Sequence, residues 1–156
     1  MQKLAIYIGG LLLVLLLLAA LHANANAGPA DIIVAGRDVV KVYDGDTLFI
    51  NIAGVHPVFG KRIGVRISNV DTPEMRSKCK SEVARDRERA MAADARQVLI
   101  NMIRPESTIV LSKVKRDKFF RINAVVTVDG VSAAAVLHRS GLAVPYNGGR
   151  KVSWCK

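Results

Sequence analysis

A small, partly open β-barrel of the OB type is the fold this sequence predicts. It is mainly β within an α+β class, a five-stranded Greek-key barrel with one long inserted helix and one short helix. Three features lead there. Five β-prone runs are separated by Gly, Pro and Asp-Gly turn signals. One long stretch of helical character lies between the third and fourth runs. A short Ala-rich stretch closed by Gly141 follows the fifth. No internal repeat appears, and 156 residues are one domain's worth.

The N-terminal 27 residues stand apart from that domain. Met1, Gln2 and Lys3 give a positive start, and Leu4 to Leu21 is uncharged and mostly Leu, Ala and Val. Small residues follow, with an A-x-A pattern at Ala23 and Ala25 and again at Ala25 and Ala27. These are the three parts of a secretory signal peptide, cut after Ala27 or Ala25. The alternative is an uncleaved anchor, because the apolar run is about the shortest that spans a bilayer. Both readings place residues 28–156 outside the cytoplasm, in the periplasm or the medium, with membrane contact only if the anchor stays.

Ile32 to Val42 is rich in Ile and Val and reads as the first strand. Asp44-Gly45-Asp46 is a turn, and Thr47 to Ile52 reads as the second strand. Ala53 to Lys61, with Gly54, Pro57 and Gly60, reads as a loop. Arg62 to Val70 alternates as a third strand, and Pro73 ends it by removing a donor and restricting Thr72. Ser81 caps a helix running to about Ile103, with Met91, Ala95, Val98 and Met102 on its apolar face. Its charge run, which includes Arg85, Arg87, Glu88, Arg89 and Asp94, reads as a solvated face. Ser107 to Lys115 and Phe119 to Val128 are the last two strands, Val131 to Ser140 is the short helix, and the tail has no clear element.

The chain carries 23 Lys and Arg against 13 Asp and Glu, a formal charge of +10. Losing the leader removes one basic residue, Lys3, and no acid, so the domain stays strongly basic. Such a charge favours polyanions, either nucleic acid or an anionic membrane surface, or else serves only to keep the surface soluble. Two cysteines, Cys79 and Cys155, allow one disulfide in an exported protein or remain two free thiols. They lack further ligands at zinc spacing. His56 and His138 fall outside every motif below and read as structural or surface residues.

Several polar residues are set against apolar strand sequence. Asp44 and Asp46 flank a turn, Asp71 and Glu74 sit at a strand end, Arg66 precedes Asp71 on one strand, and Arg121 follows Lys118. Hydrolysis of a phosphodiester needs such parts. A hard cation polarises the phosphoryl oxygen, and calcium accepts carboxylate and carbonyl oxygens in irregular geometry. A carboxylate serves as base on water. Planar guanidinium groups clamp the phosphate as charge develops. Each part alone has a plain structural reading as turn, loop entry or surface charge.

Three blocks, in order, resemble the staphylococcal nuclease (thermonuclease) family. They are Val42-Tyr43-Asp44-Gly45-Asp46-Thr47, then Val65 through Glu74, then Asp117-Lys118-Phe119-Phe120-Arg121 followed by an apolar strand and Asp129-Gly130. The resemblance covers about Val39 to Tyr146 and includes Gly141-Leu142-Ala143. It implies that Asp46, Asp71 and the Thr72 carbonyl hold Ca2+, and that Asp44 supports them from nearby. It also implies that Glu74 is the general base and that Arg66 and Arg121 grip the scissile phosphate. Lys118, Phe119 and Tyr146 then contact the nucleic acid, Tyr146 by stacking on a base. The implied activity is hydrolysis of single- and double-stranded DNA and RNA with little sequence preference; a monomer is the default reading, not one the resemblance supplies. Water displaces the 5′-oxygen and leaves 3′-phosphate ends.

This chain departs from the family pattern at two places, with Phe119 where Tyr is usual and Phe120 where Gly is usual. The first removes a hydroxyl that would reach a terminal phosphate and keeps a stacking surface. The second changes the turn that holds Arg121. An alternative of another class is a non-catalytic nucleic-acid-binding module on the same barrel, which would bind with a steep salt dependence and cut nothing. A third is a basic domain held at a membrane surface by its own anchor.

Overall fold

The computed structural model describes residues 31–155. The expected leader or anchor, residues 1–27, lies outside the described residues. Among the described residues no helix is long and apolar enough to cross a membrane.

The first expected strand is two, β1 (Ile32–Ala35) and β2 (Val39–Val42), separated by a 3-10 turn at Gly36–Asp38. Gly36 sets the break. Its amide donates to the Ser107 carbonyl at 2.8 Å, and a Cβ there would collide with the Arg104 carbonyl oxygen at 1.8 Å. The chain therefore leaves one edge of the sheet and enters the other. β3 (Thr47–Ile50) returns antiparallel to β2 across the Asp44–Asp46 turn. The expected loop holds one helical turn, α1 (Pro57–Gly60), with Pro57 in its first turn and His56 as its cap. Nδ1 of His56 accepts from the Val58 amide at 3.3 Å, a structural role as expected.

The third expected strand also breaks, into β4 (Ile63–Ile67) and β5 (Asn69–Asp71). Asn69 takes a left-handed φ of 66°, which Asn tolerates better than most residues. That kink leaves β4 in the main sheet and lets β5 pair with a strand from the tail. Next comes α2 (Glu82–Met102), where the Ser81 hydroxyl accepts from the Ala84 amide at 3.1 Å as expected of an N-cap. Its buried face differs from the expected one. Glu88, Ala92, Ala95 and Leu99 face inward, while Met91, Val98 and Met102 are only half-buried. Small side chains let the helix approach the sheet closely, so the bulky periodic residues mark the rim of the contact.

β6 (Thr108–Arg116) and β7 (Ile122–Val128) form the longest antiparallel pair. Residues Phe119 to Arg121, expected to open a strand, belong instead to the turn before β7. The expected second helix shortens to β8 (Val131–Ser132) and α3 (Ala133–Arg139), with Ser132 accepting from the Ala135 amide. Gly141 takes φ 68°, the left-handed residue expected after the helix. His138 is hydrogen-bonded to the Ala143 carbonyl at 3.1 Å, again a structural role. The tail yields β9 (Val144–Tyr146), which pairs with β5.

The main sheet has the order β1-β6-β7-β4-β3-β2, with β8 beside β7, and curls into a half-barrel. β4 and β7 run parallel, and the other pairs are antiparallel. The mainly β, OB-like architecture with one long and one short helix is the expected one, although its strand runs are more broken. The concave side is filled by Leu48, Ile50, Val65, Ile67, Ile109 and Leu111, all essentially inaccessible, and closed by Leu99 of α2 and Leu137 of α3.

Gly45 ties this packing to the polar turn. A Cβ at Gly45 would lie 2.6 Å from the Ala95 Cβ and 3.0 Å from Cγ2 of Thr72. Gly45→Ala is therefore expected to destabilise the fold by about 1–3 kcal/mol, as overpacking does. A urea melt that coincides with wild type would show that the turn does not rest on α2.

Candidate active site

The sheet register brings the expected residues to one corner. On β4, Ile63, Val65 and Ile67 point into the core, and the half-buried Arg66 lies on the other face. Arg66 is paired across the sheet with Thr47 on one side and Asn123 on the other. The first neighbour follows Asp44-Gly45-Asp46, and the second follows Arg121. β5 ends at Asp71, so Thr72 and Glu74 leave the barrel at the same place. A cleft of about 590 Å³ results, and Asp44, Arg66, Glu74, Lys118, Phe119 and Arg121 are among its lining residues.

Asp46 is nearly inaccessible and fully engaged. Its Oδ1 accepts from the Thr47 hydroxyl at 3.0 Å and pairs with Nη1 of Arg66. Its Oδ2 accepts from the Thr72 hydroxyl at 3.1 Å and the Thr72 amide at 3.4 Å. Nη2 of Arg66 donates to the Val70 carbonyl at 3.2 Å and lies 3.7 Å from Oδ1 of Asp71. Asp71 is 1 % exposed, yet its Oδ1 receives no well-directed hydrogen bond. A buried carboxylate oxygen left this way favours a cation beside it.

Asp44 completes the acid cluster, with its Oδ1 accepting from the Asp46 amide at 3.1 Å. Burial, then the neighbouring Asp46 charge, pushes the Asp44 carboxyl up to about 7 against the opposing pull of the Asp46 amide. The corner therefore holds more negative charge than Arg66 alone offsets.

Arg121 is held by its own turn. Asp117 Oδ1 accepts from the Phe119 and Arg121 amides at 2.8 and 2.9 Å, and Oδ2 accepts from Nε of Arg121 at 2.8 Å. Burial acts to raise the Asp117 carboxyl, but these donors outweigh it and hold it below the usual carboxylate range. Phe120, where the family pattern has Gly, adopts φ 63° and so keeps the left-handed bend. Its carbonyl accepts from Nη1 of Arg116 at 2.7 Å, and its ring packs 4.3 Å from the Arg116 guanidinium. The turn that presents Arg121 thus survives the substitution, at a backbone cost of roughly 1–2 kcal/mol. The exposed Phe119 ring lies 5.3 Å from both the Lys118 ammonium and the Arg121 guanidinium. Tyr146 also lines the cleft, its hydroxyl donating to the Gly149 carbonyl at 3.0 Å.

Three contributors escaped the sequence reading. Lys151 places its ammonium 2.7 Å from Oδ1 of Asp71 and 2.5 Å from Oε1 of Glu74. Burial alone would lower its pKa, but the two carboxylates raise it. Trp154 donates from Nε1 to Oδ2 of Asp71 at 3.3 Å. Glu88, read as part of a solvated face, is instead buried and accepts from the Glu74 amide at 3.2 Å. Of the two states the sequence allows for the cysteines, the structure has the disulfide. Cys79 and Cys155 are bonded, with Cα atoms 5.4 Å apart, and the bond fastens the Lys151–Trp154 tail beside the cleft. Glu88 also lies against that sulfur pair. Because the sulfurs are bonded to each other, that cluster offers no thiolate to a metal.

The Asp44 position generates a pH-dependent expectation. Its folded pKa exceeds the unfolded value of 3.8, so the folded state binds the proton more tightly. Stability is therefore lost as pH rises from about 4 towards about 7. In the metal-free protein Asp44→Asn should gain stability relative to wild type across that window, by up to about 4 kcal/mol. Chemical denaturation at pH 4.5 and pH 8 reads it, and an equal difference at both pH values would rule out the raised carboxyl.

A family model described as staphylococcal nuclease homologue matches residues 64–153, more than half of the chain. The matched stretch carries Arg66, Asp71, Glu74, Lys118 and Arg121, and it reaches the tail residues Tyr146 and Lys151. Asp44 and Asp46 lie before it, and the sheet register brings them to the same corner. No curated protein matches the chain. With the fold, the corner and the matched residues in agreement, the chain belongs to the staphylococcal nuclease homologue family.

Proposed function

We propose that this chain is an exported, calcium-dependent nuclease that hydrolyses DNA and RNA with little sequence preference and leaves 3′-phosphate ends. Family membership supports a nuclease-type or nucleic-acid-binding function. One observation carries the finer reading. The buried Asp71 carboxylate, whose Oδ1 is met by the Lys151 ammonium and the Arg66 guanidinium, converges with Asp46, with Glu74 and with two independently held arginines.

The donor set fits a hard cation. Asp46, Asp71 and Thr72 offer only oxygen ligands, and such a set suits calcium rather than a soft metal. Bound there, calcium would polarise the phosphoryl oxygen and offset its developing charge. The chain's own groups do the rest. Arg66 and Arg121 donate to the non-bridging phosphate oxygens, and the charge grows on those oxygens as water adds. Each guanidinium is pre-oriented by a carboxylate, Arg66 by Asp46 and Arg121 by Asp117. The Glu74 carboxylate takes a proton from the attacking water as its oxygen bonds to phosphorus, and the P–O5′ bond breaks with the departing 5′-oxygen taking a proton from solvent. The Glu74 amide bond to Glu88 fixes the main chain from which that carboxylate reaches. Lys118 and the Phe119 ring hold the neighbouring nucleotide by charge and stacking.

Lys151 gives specific support to the second reading, a binding module that does not cut. With its ammonium between Asp71 and Glu74, the cleft is basic and its base is engaged. The two readings separate in one assay. Residues 28–156 are incubated with single-stranded DNA in calcium or chelator, beside a Glu74→Gln variant. Calcium-dependent cutting that the variant loses is expected, a fall of at least about 100-fold for a lost base. Tight, salt-sensitive binding without cutting would leave the binding module as the function.

Lys151 also makes a measurable contribution to metal affinity on this reading. Calcium displaces an ammonium held by a half-exposed ion pair to Glu74, contributing up to about 1 kcal/mol, and by a pair to the buried Asp71. Lys151→Met should therefore bind calcium roughly 3- to 30-fold more tightly by calorimetry, and its metal-free form should melt at a lower temperature. Unchanged affinity would show that Lys151 does not compete for the site.

A further inference from the structure

A second cavity, of about 390 Å³, opens on the other side of Arg66. Arg66 and Tyr146 line both cavities, so the two adjoin. Lys113 and Lys115 of β6, Ser68 and Asn123 supply polar groups to its wall, and no Asp or Glu lines it. Both lysines are exposed, and neither has an ion-pair partner among the described residues. The floor is fixed where the Ser68 hydroxyl donates to Oδ1 of Asn123.

The backbone beneath the lysines is irregular. The β6–β7 register shifts between Ser112 and Lys115, a β-bulge, and Lys113 takes a left-handed φ of 52°. A lysine in that conformation costs roughly 1–2 kcal/mol. Bulges beside active sites re-aim side chains, and strained backbone of this kind gathers at functional positions. Here the bulge leaves Val114 packed on the core and both lysines on the cavity wall. A concave wall with three cations, amide groups and no acid suits a phosphodiester chain.

We propose that this cavity is a phosphate subsite for the polynucleotide beyond the scissile bond. It rests on the nuclease reading for the position of that bond. The strand runs from the Lys118–Phe119 wall past Arg66, and Lys113 and Lys115 hold the next phosphate on the far side. The enzyme would thereby prefer chains of several nucleotides over a dinucleotide, which has a single internal phosphate and cannot fill both places.

The test uses the full-length protein and its Lys113→Gln/Lys115→Gln variant in chelator, so that nothing is cut. Binding of a 12-nucleotide thymidine strand is followed by anisotropy across a salt series, and binding of dithymidine monophosphate by NMR titration. Circular dichroism and melting verify that the variant is folded. The variant should lose roughly tenfold in affinity for the strand, and its salt slope should fall by about 1.4, the share of two phosphate contacts on a single strand. Its affinity for the dinucleotide should match wild type. An unchanged slope, or an equal loss for the dinucleotide, overturns the subsite. Calcium-dependent cutting by wild type together with an unchanged slope sinks the subsite and spares the nuclease reading. A reduced slope in a protein that cuts nothing keeps the subsite as part of a binding module and sinks the nuclease reading.

Discussion

Three aspartates share one buried corner of this barrel, and their mutual repulsion is the constraint to which the surrounding structure responds. Asp44, Asp46 and Asp71 are each 9 % exposed or less. Carboxylates removed from water are costly unless paired or protonated. Arg66 is placed by the β3–β4–β7 register to reach two of them, Asp46 and Asp71. Thr47 and Thr72 add donors to Asp46. Burial and the neighbouring Asp46 charge push the Asp44 carboxyl up to about 7. The remaining oxygen, Oδ1 of Asp71, is met by the ammonium of Lys151 at 2.7 Å. A buried corner whose donors are all oxygen is suited to a hard cation.

The tail follows from the same constraint. Lys151 and Trp154 both reach Asp71, and Cys155 is bonded to Cys79 just ahead of α2. In chain-entropy terms a loop this long contributes about 4 kcal/mol. Its local effect is of a different kind, because it keeps a cation and an indole donor close to the acids. Glu88 links the disulfide to the main chain of Glu74, so the tail, the helix and the base form one connected support.

The basic surface is ordered by the sheet. Lys118 and Arg121 come from the turn before β7, and Lys113 and Lys115 from the bulge in β6. Two strained non-glycine residues, Lys113 and Phe120, bracket that hairpin end. Their backbone shape is one glycine would adopt freely. Arg116 compensates Phe120 by bonding its carbonyl and covering its ring. Arg66, Lys113, Lys115, Lys118, Arg121 and Lys151 thus line the cleft and the cavity beside it.

Much of this was legible in the residues alone. Turn chemistry located Asp44-Gly45-Asp46, Pro73 marked the strand end that frees Glu74, and Ser81 and Gly141 marked helix ends, because these signals act over a few residues. The motif blocks named Asp46, Arg66, Asp71, Glu74 and Arg121, and the structure brings them to one corner. Where alternation continued through a kink, as at Gly36 and Asn69, local pattern could not reveal that the strand changes partners. The helix face was misjudged for a related reason. Apolar periodicity weighs side-chain size, whereas close approach of α2 to Gly45 selects Ala92 and Ala95 and buries Glu88. Lys151, Trp154 and the Cys79–Cys155 bond join Asp71 and Glu74 from far along the chain. The sequence by itself determined the element types, the basic character and the chemical groups of the site. Only the tertiary structure decided which cation sits beside Asp71, which carboxyl is pushed up, and which lysines share a wall. Those depend on burial and on distances between remote residues.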